Sequence, residues 1–242
     1  QKFYFSSAEA ETPKPLVVVL HTWSADYRQQ ENSLAQEVKV RNWNYLHPDF
    51  RGSNNHPEAC CSSLAMTDLD QVITWAQSNL DVDQDSIFVV GTSGGGYAAI
   101  CTFMKSRHKI RGFHAFVPIT DLAAWYEESL SRNEKYALDI LACTASQDST
   151  LDVEEAKNRS PFYWNLPARK LLTSSLHLYA GVHDGYTGSV PVTQSLLFYN
   201  KVMESLGVRD ENQYVSDEDM IYLLSKRSYP GNQLGTLGDR KI

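Results

Sequence analysis

Apolar and polar positions along the chain fall into two alternating periods. Leu16–Leu20 is an unbroken apolar run rich in β-branched residues, the pattern of a strand buried on both faces. Further strands are predicted at Lys2–Ser6, Asn44–Phe50, Ile87–Val90, Phe113–Pro118 and Leu176–Ala180. Between them the period lengthens. Leu69, Val72, Ile73, Ala76 and Leu80 mark one face of a helix that is expected to end before an acidic turn at Asp81–Asp85. Tyr97, Ile100, Cys101 and Met104 mark a second helix. Val192, Leu196, Tyr199, Met203 and Leu206 mark a third, with Pro191 near its start and Gly207 at its stop.

Strands that alternate with helices predict an α/β architecture: a mostly parallel sheet with helices on both faces. Residues 121–165 are longer and more helical than the other connections and read as an insertion over the carboxyl edge of the sheet, where such sheets bind ligands. All 242 residues fit one domain. Residues 209–219 read as a polar surface excursion, and residues 228–240, with Pro230, Gly231, Gly235 and Gly238, as an irregular loop.

Composition narrows the partners. The net charge of −7 disfavours nucleic acid or an anionic membrane as the main partner. No apolar stretch approaches the roughly 20 residues that span a bilayer. The four cysteines, at 60, 61, 101 and 143, match no zinc spacing. Cys101, on the inner face of its helix, reads as a small buried hydrophobe. Cys143 has Cys60 and Cys61 as candidate partners. A bridge would call for an oxidising compartment, so a periplasmic or secreted location is the expectation.

The chemistry lies in Gly91-Thr92-Ser93-Gly94-Gly95, placed between a strand and a helix. In that setting G-x-S-x-G is a nucleophile elbow, a turn so tight that a side chain at Gly91 or Gly95 would collide with its neighbours while Ser93 is lifted clear. A phosphate loop would need a lysine after its last glycine, and Tyr97 stands there. A serine hydroxyl needs a base oriented by a carboxylate. The strand Leu176–Ala180 is followed by Gly181-Val182-His183-Asp184-Gly185, which makes Asp184 the candidate acid. Two backbone donors must hold the oxyanion. Gly94 supplies one. The loop His21-Thr22-Trp23-Ser24 supplies the other, from Trp23 or from Thr22, with His21 bracing the loop from beneath.

From about residue 15 to residue 207 the chain resembles the prolyl-oligopeptidase-like branch of the α/β-hydrolases. The likeness is carried by Asp49-Phe50-Arg51-Gly52-Ser53, by Gly91–Tyr97, by Val117-Pro118-Ile119-Thr120-Asp121, and by Gly181–Asp184 with Val190-Pro191-Val192 and Gln194-Ser195. The resemblance implies the α/β-hydrolase fold and acyl-enzyme chemistry without metal or organic cofactor. It departs in two ways. First, no propeller is encoded in these residues, which weakens a peptidase expectation, and the loop at His21 also lacks the family's double glycine; second, no histidine follows Asp184. The seven histidines, at 21, 47, 56, 108, 114, 177 and 183, all precede Asp184. The family's base lies after one more strand, which is expected to begin around Arg240-Lys241-Ile242 with its histidine beyond the sequence. The alternative is His183.

Loop aromatics Trp23, Tyr27, Tyr97, Trp125, Tyr126 and Tyr186 suit sugar faces or acyl groups as a set, although each taken alone reads as packing. Tyr97, Tyr186 and Arg51 are the candidate substrate contacts, with a structural role preferred for Arg51. The first functional expectation is a serine esterase acting on a small-molecule or carbohydrate ester. The others are a peptidase that uses Asp121, Glu127 or Glu128 to bind a substrate amine, and an inactive binding relative.

Overall fold

The apolar runs pair as neighbouring strands of one sheet. The computed structural model describes residues 1–30 and 32–228, with two short strands beyond them. In chain order the elements are β1 (Phe3–Ser6), β2 (Lys14–Leu20), α1 (Asn32–Val40), β3 (Asn44–Pro48), α2 (Ser63–Asn79), β4 (Val82–Thr92), α3 (Gly94–Lys105) and β5 (Gly112–Phe116). The insertion follows as α4 (Leu122–Ser131), α5 (Tyr136–Cys143) and α6 (Val153–Asn158). Then come β6 (Ser175–Tyr179), α7 (Val192–Ser205) and α8 (Asp217–Lys226). Among the described residues the sheet has six strands in the order β1-β3-β2-β4-β5-β6, all parallel except β1.

Alternation along β2 divides the core. Leu16, Val18 and Leu20 face a large cluster that includes Leu69, Val72 and Ile73 of α2 and Ile100 and Phe103 of α3. Val17 and Val19 face a smaller one with Val38 of α1 and Tyr45. Burying each such side chain contributes about 1.5–3 kcal/mol before entropy is counted, so β2 is fixed from both sides.

Three local expectations change. The acidic stretch is not a turn. β4 already starts at Val82, opposite Lys14, and a register shift between Lys14 and Leu16 absorbs the extra residues before Leu16 meets Ile87. The polar stretch at 209–219 leads into α8, whose start is capped by the Ser216 hydroxyl accepting the Asp219 N–H and by three acids in its first turn. The loop expected at 228–240 falls largely outside the described residues. Its described part, Thr236–Leu237 paired antiparallel with Arg240–Lys241, forms a separate two-stranded ribbon and not the next strand of the main sheet.

The cysteines are joined in two bridges. Cys143 pairs with Cys60, and Cys101 pairs with Cys61, so Cys101 is buried as expected but is not a free thiol. The vicinal cysteines therefore tie the loop after β3 to α5 on one side and to α3 on the other.

Candidate active site

β4, β5 and β6 are adjacent and parallel, and Thr92, Phe116 and Tyr179 lie on one rung. The next residues continue the line. The Ser93 N–H donates to Phe116 O at 2.8 Å and the Val117 N–H to Tyr179 O at 2.6 Å. The loops carrying Ser93 and Asp184 thus leave the same carboxyl edge, two strands apart.

Ser93 sits at φ 56°, ψ −118°, outside the regions open to an ordinary L-residue, and it immediately precedes α3. Its carbonyl accepts the Tyr97 N–H at 2.9 Å, and its side chain is half-buried. The two glycines of the turn are sterically required, as the sequence implied. A Cβ at Gly91 would lie 2.1 Å from Gly95 O, and one at Gly95 would lie 2.3 Å from Leu20 O.

The N-terminus of α3 also presents the Gly94 N–H, which has no acceptor within its own helix. A Cβ on Gly94 would fall 2.4 Å from Trp23 N, so the two candidate oxyanion donors are neighbours. Thr22 is otherwise engaged: its N–H donates to Gln29 Oε1 at 2.8 Å. Among the described residues the Trp23 N–H donates to no acceptor. Its peptide plane is held through the Thr22 carbonyl, which accepts the Ala25 N–H at 3.2 Å and lies 3.0 Å from His21 Nδ1. His21 Nε2 is 2.8 Å from Asp49 O, and the ring stacks on Phe50 with centroids 3.9 Å apart. Burial pushes the His21 imidazole below its ordinary pKa.

Asp184 is half-buried in a turn that it closes itself. Its Oδ2 accepts the Gly181 N–H at 2.6 Å, and its own N–H donates to Gly181 O at 3.0 Å. Among the described residues Oδ1 accepts no hydrogen bond. The insertion grips this loop: Trp125 Nε1 donates to Ser189 O at 2.8 Å and Arg132 to Gly188 O at 3.0 Å.

Several predicted contacts lie elsewhere. Tyr97 does not line the site. It is fully buried, and its hydroxyl lies between the Cys60 and Arg159 carbonyls at 3.0 and 2.7 Å. Arg51 takes the structural role. Its guanidinium forks onto Asp68 at 2.8 and 3.2 Å and reaches Glu58 at 3.2 Å. Trp23, Trp125 and Tyr126 are buried too, which leaves Tyr186, 66% exposed, and the half-buried Tyr27 as accessible aromatics of the predicted set. Sequence reasoning missed Gln29 and Asp139, which holds the Trp23 indole. Neither stands in a recognisable motif, and Asp139 is 116 residues from its partner.

The sequence profile of the prolyl oligopeptidase family matches residues 32–220. A comparison with curated proteins finds no match. Among solved structures, the Pyrococcus horikoshii acylaminoacyl peptidase superposes with TM-score 0.63 at 18% identity, over 84% of this chain and 32% of that one. An acetyl ester-xyloside bifunctional hydrolase from Caldicellulosiruptor lactoaceticus gives TM-score 0.58 at 16% identity, covering 84% and 72%. The Staphylococcus aureus fluorophosphonate-binding serine hydrolase FphF gives 0.60 at 14%, covering 86% and 81%. The chain spans about a third of the length of the acylaminoacyl peptidases it resembles.

Proposed function

Because this chain belongs to the prolyl oligopeptidase family, we propose that it is a serine hydrolase with Ser93 as nucleophile, acting on acyl esters, carbohydrate acetyl or methyl esters first among them. The observation that carries this is the strained Ser93 backbone beside the paired N–H groups of Gly94 and Trp23. Ser93 Oγ attacks the ester carbonyl. The oxyanion forms against the two N–H groups, an imidazole takes the serine proton and returns it to the leaving alcohol, and Asp184 orients that imidazole. Water then cleaves the acyl-enzyme.

Six of the seven histidines are placed away from this role. His21 and His47 are buried beneath the sheet edge, His56 faces Arg51 O, His108 faces Asp70 O, and His114 stacks on His177. His183 is exposed on the acid loop itself. His183→Ala therefore separates two sources of the base. Loss of turnover assigns it to His183, and retained turnover excludes His183 as the base.

The insertion favours an ester over a peptide amine. Asp121 spends one oxygen capping α4 and the other on the Tyr163 hydroxyl at 2.7 Å. Burial and the Glu134 charge push the Glu128 carboxyl upward, against the pull of Arg132, which weakens it as an ammonium partner. Glu127 alone of the three predicted amine ligands is exposed, and one carboxylate is too little for an acidic pocket. The peptidases among the superposed structures keep that reading as the second one.

The test is hydrolysis of p-nitrophenyl acetate against alanine and proline anilides by the full-length protein, with fluorophosphonate labelling in parallel. Labelling and ester turnover that both vanish in Ser93→Ala support the esterase. Anilide turnover without ester turnover supports a peptidase. No labelling of the wild type overturns the enzyme reading.

A further inference from the structure

Trp23 offers more than a backbone donor. Its indole is buried, and three groups hold it. Nε1 donates to Asp139 Oδ2 of α5 at 3.1 Å, Trp125 meets the ring edge-on with centroids 4.8 Å apart, and Tyr97 lies at 6.0 Å. Asp139 is itself anchored. Lys135, one turn earlier, bonds the same Oδ2 at 2.8 Å, and Cys143, one turn later on the same face, is bridged to Cys60. The Cys60 segment in turn adjoins the oxyanion loop: Asn54 accepts the Cys60 N–H at 2.8 Å through its side chain and donates its own N–H to Trp23 O at 2.8 Å. The helix that holds the indole and the loop that holds the Trp23 carbonyl are thus joined covalently.

We propose that Asp139 is a positioning residue for the oxyanion hole, fixing the Trp23 main chain by hydrogen-bonding its indole from the insertion. This rests on the assignment of Trp23 as an oxyanion donor. The physical reason is leverage. The donor must point at an oxygen that exists only in the transition state, and its alignment depends on a short loop with no regular structure. A buried side chain bonded to a braced helix supplies the rigidity that the loop lacks. Because the effect falls on the transition state and not on ground-state binding, it appears in kcat and leaves KM in place.

The experiment measures p-nitrophenyl acetate kinetics and the fluorophosphonate labelling rate for the full-length protein and its Asp139→Asn, Asp139→Leu, Trp23→Phe and Lys135→Gln variants. Asp139→Leu removes the acceptor and lowers kcat about tenfold, a fraction of the 10²–10³ that losing a whole donor costs, with KM unchanged. Asp139→Asn keeps an acceptor oxygen and restores most of the rate. Trp23→Phe keeps the main-chain N–H, loses the indole N–H together with part of the buried ring, and reproduces the Asp139→Leu defect. The double variant Trp23→Phe/Asp139→Leu is no slower than either single one, the mark of one shared interaction. Lys135→Gln, which removes one anchor of Asp139 and keeps its bond to the indole, lowers kcat less than Asp139→Leu does.

Wild-type kcat in Asp139→Leu overturns the proposal. So does equal damage in Asp139→Asn and Asp139→Leu, which assigns the carboxylate a merely electrostatic or structural part. If Asp139→Leu does not fold, the Trp23→Phe and Asp139→Asn pair decides alone: a wild-type rate in Trp23→Phe is fatal. A wild type that neither labels nor turns over fails the hydrolase reading itself, and the positioning role falls with it. Wild-type labelling lost in Ser93→Ala keeps the two failures apart.

Discussion

The Cα of Gly94 faces the backbone of Trp23 so closely that a methyl group on it would stand 2.4 Å from both Trp23 N and Trp23 Cα. Two segments 71 positions apart in sequence therefore meet backbone to backbone at the residue next to Ser93. Gly94→Ala must push them apart. The expected outcome is a loss of about 10²-fold or more in kcat, on the scale of an oxyanion donor, with the fluorophosphonate reaction slowed alongside. Unchanged kcat in a folded Gly94→Ala protein would remove the oxyanion assignment.

The buried imidazoles give a pH signature in stability. Burial lowers the pKa of both His21 and His47 from the ordinary 6.5. The unfolded chain then binds protons that the folded one refuses. Stability is fully present above about pH 6.5 and declines as pH falls from there toward the folded-state values. Thermal unfolding between pH 8 and pH 5 should show Tm dropping on the acid side. His47→Gln should flatten part of that slope. A Tm that rises on acidification would contradict the neutral, buried state of both rings.

Arg51 and Tyr97, candidate substrate contacts in the sequence, are engaged in the frame of the site. Tyr97→Phe removes a hydroxyl that serves two buried carbonyls, Cys60 O and Arg159 O. A stability loss of about 1–2 kcal/mol is expected in urea unfolding. Arg51→Ala opens the fork onto Asp68 and should lower Tm. Neither change should alter KM for a neutral ester. A large KM increase in Arg51→Ala, with Tm held, would return the residue to the substrate.

Cys60–Cys143 and Cys61–Cys101 close stretches with sequence separations of 83 and 40. Each bridge should contribute about 2–4 kcal/mol. The unreduced, denatured protein should take up no thiol-alkylating reagent, measured by intact mass, and prior reduction should expose four sites. Paired alanine replacements, Cys60→Ala with Cys143→Ala and Cys61→Ala with Cys101→Ala, should each lower Tm. Alkylation without reduction would refute the pairing.

The strands and the helices against them were legible because each is a local pattern. The run Leu16–Leu20 is apolar at every position since both of its faces are covered, and the elbow glycines are named by a turn that tolerates nothing larger. The acidic stretch at 81–85 misled because its charges read as a turn, whereas β4 takes the stretch in through a register shift that depends on where Lys14 of β2 lies. α8 was missed because its apolar face is narrow: Met220 and Leu223 are its buried residues.

By itself, the sequence determined the α/β class, the position of Ser93 at a strand-to-helix turn, and the loop on which Asp184 stands. Those features follow from spacing along a few residues, and spacing is all that a turn or an amphipathic face requires. The tertiary structure decided what no spacing encodes. It spends the Thr22 N–H on Gln29 and sets the Trp23 backbone against Gly94. It closes Arg51 onto Asp68 and buries Tyr97 under the Cys60 segment. It brings Asp139 to the Trp23 indole across 116 positions. A side chain's role is settled by which donors and acceptors crowd it after the chain has folded back on itself, and these partners come from segments whose local patterns carry no trace of one another.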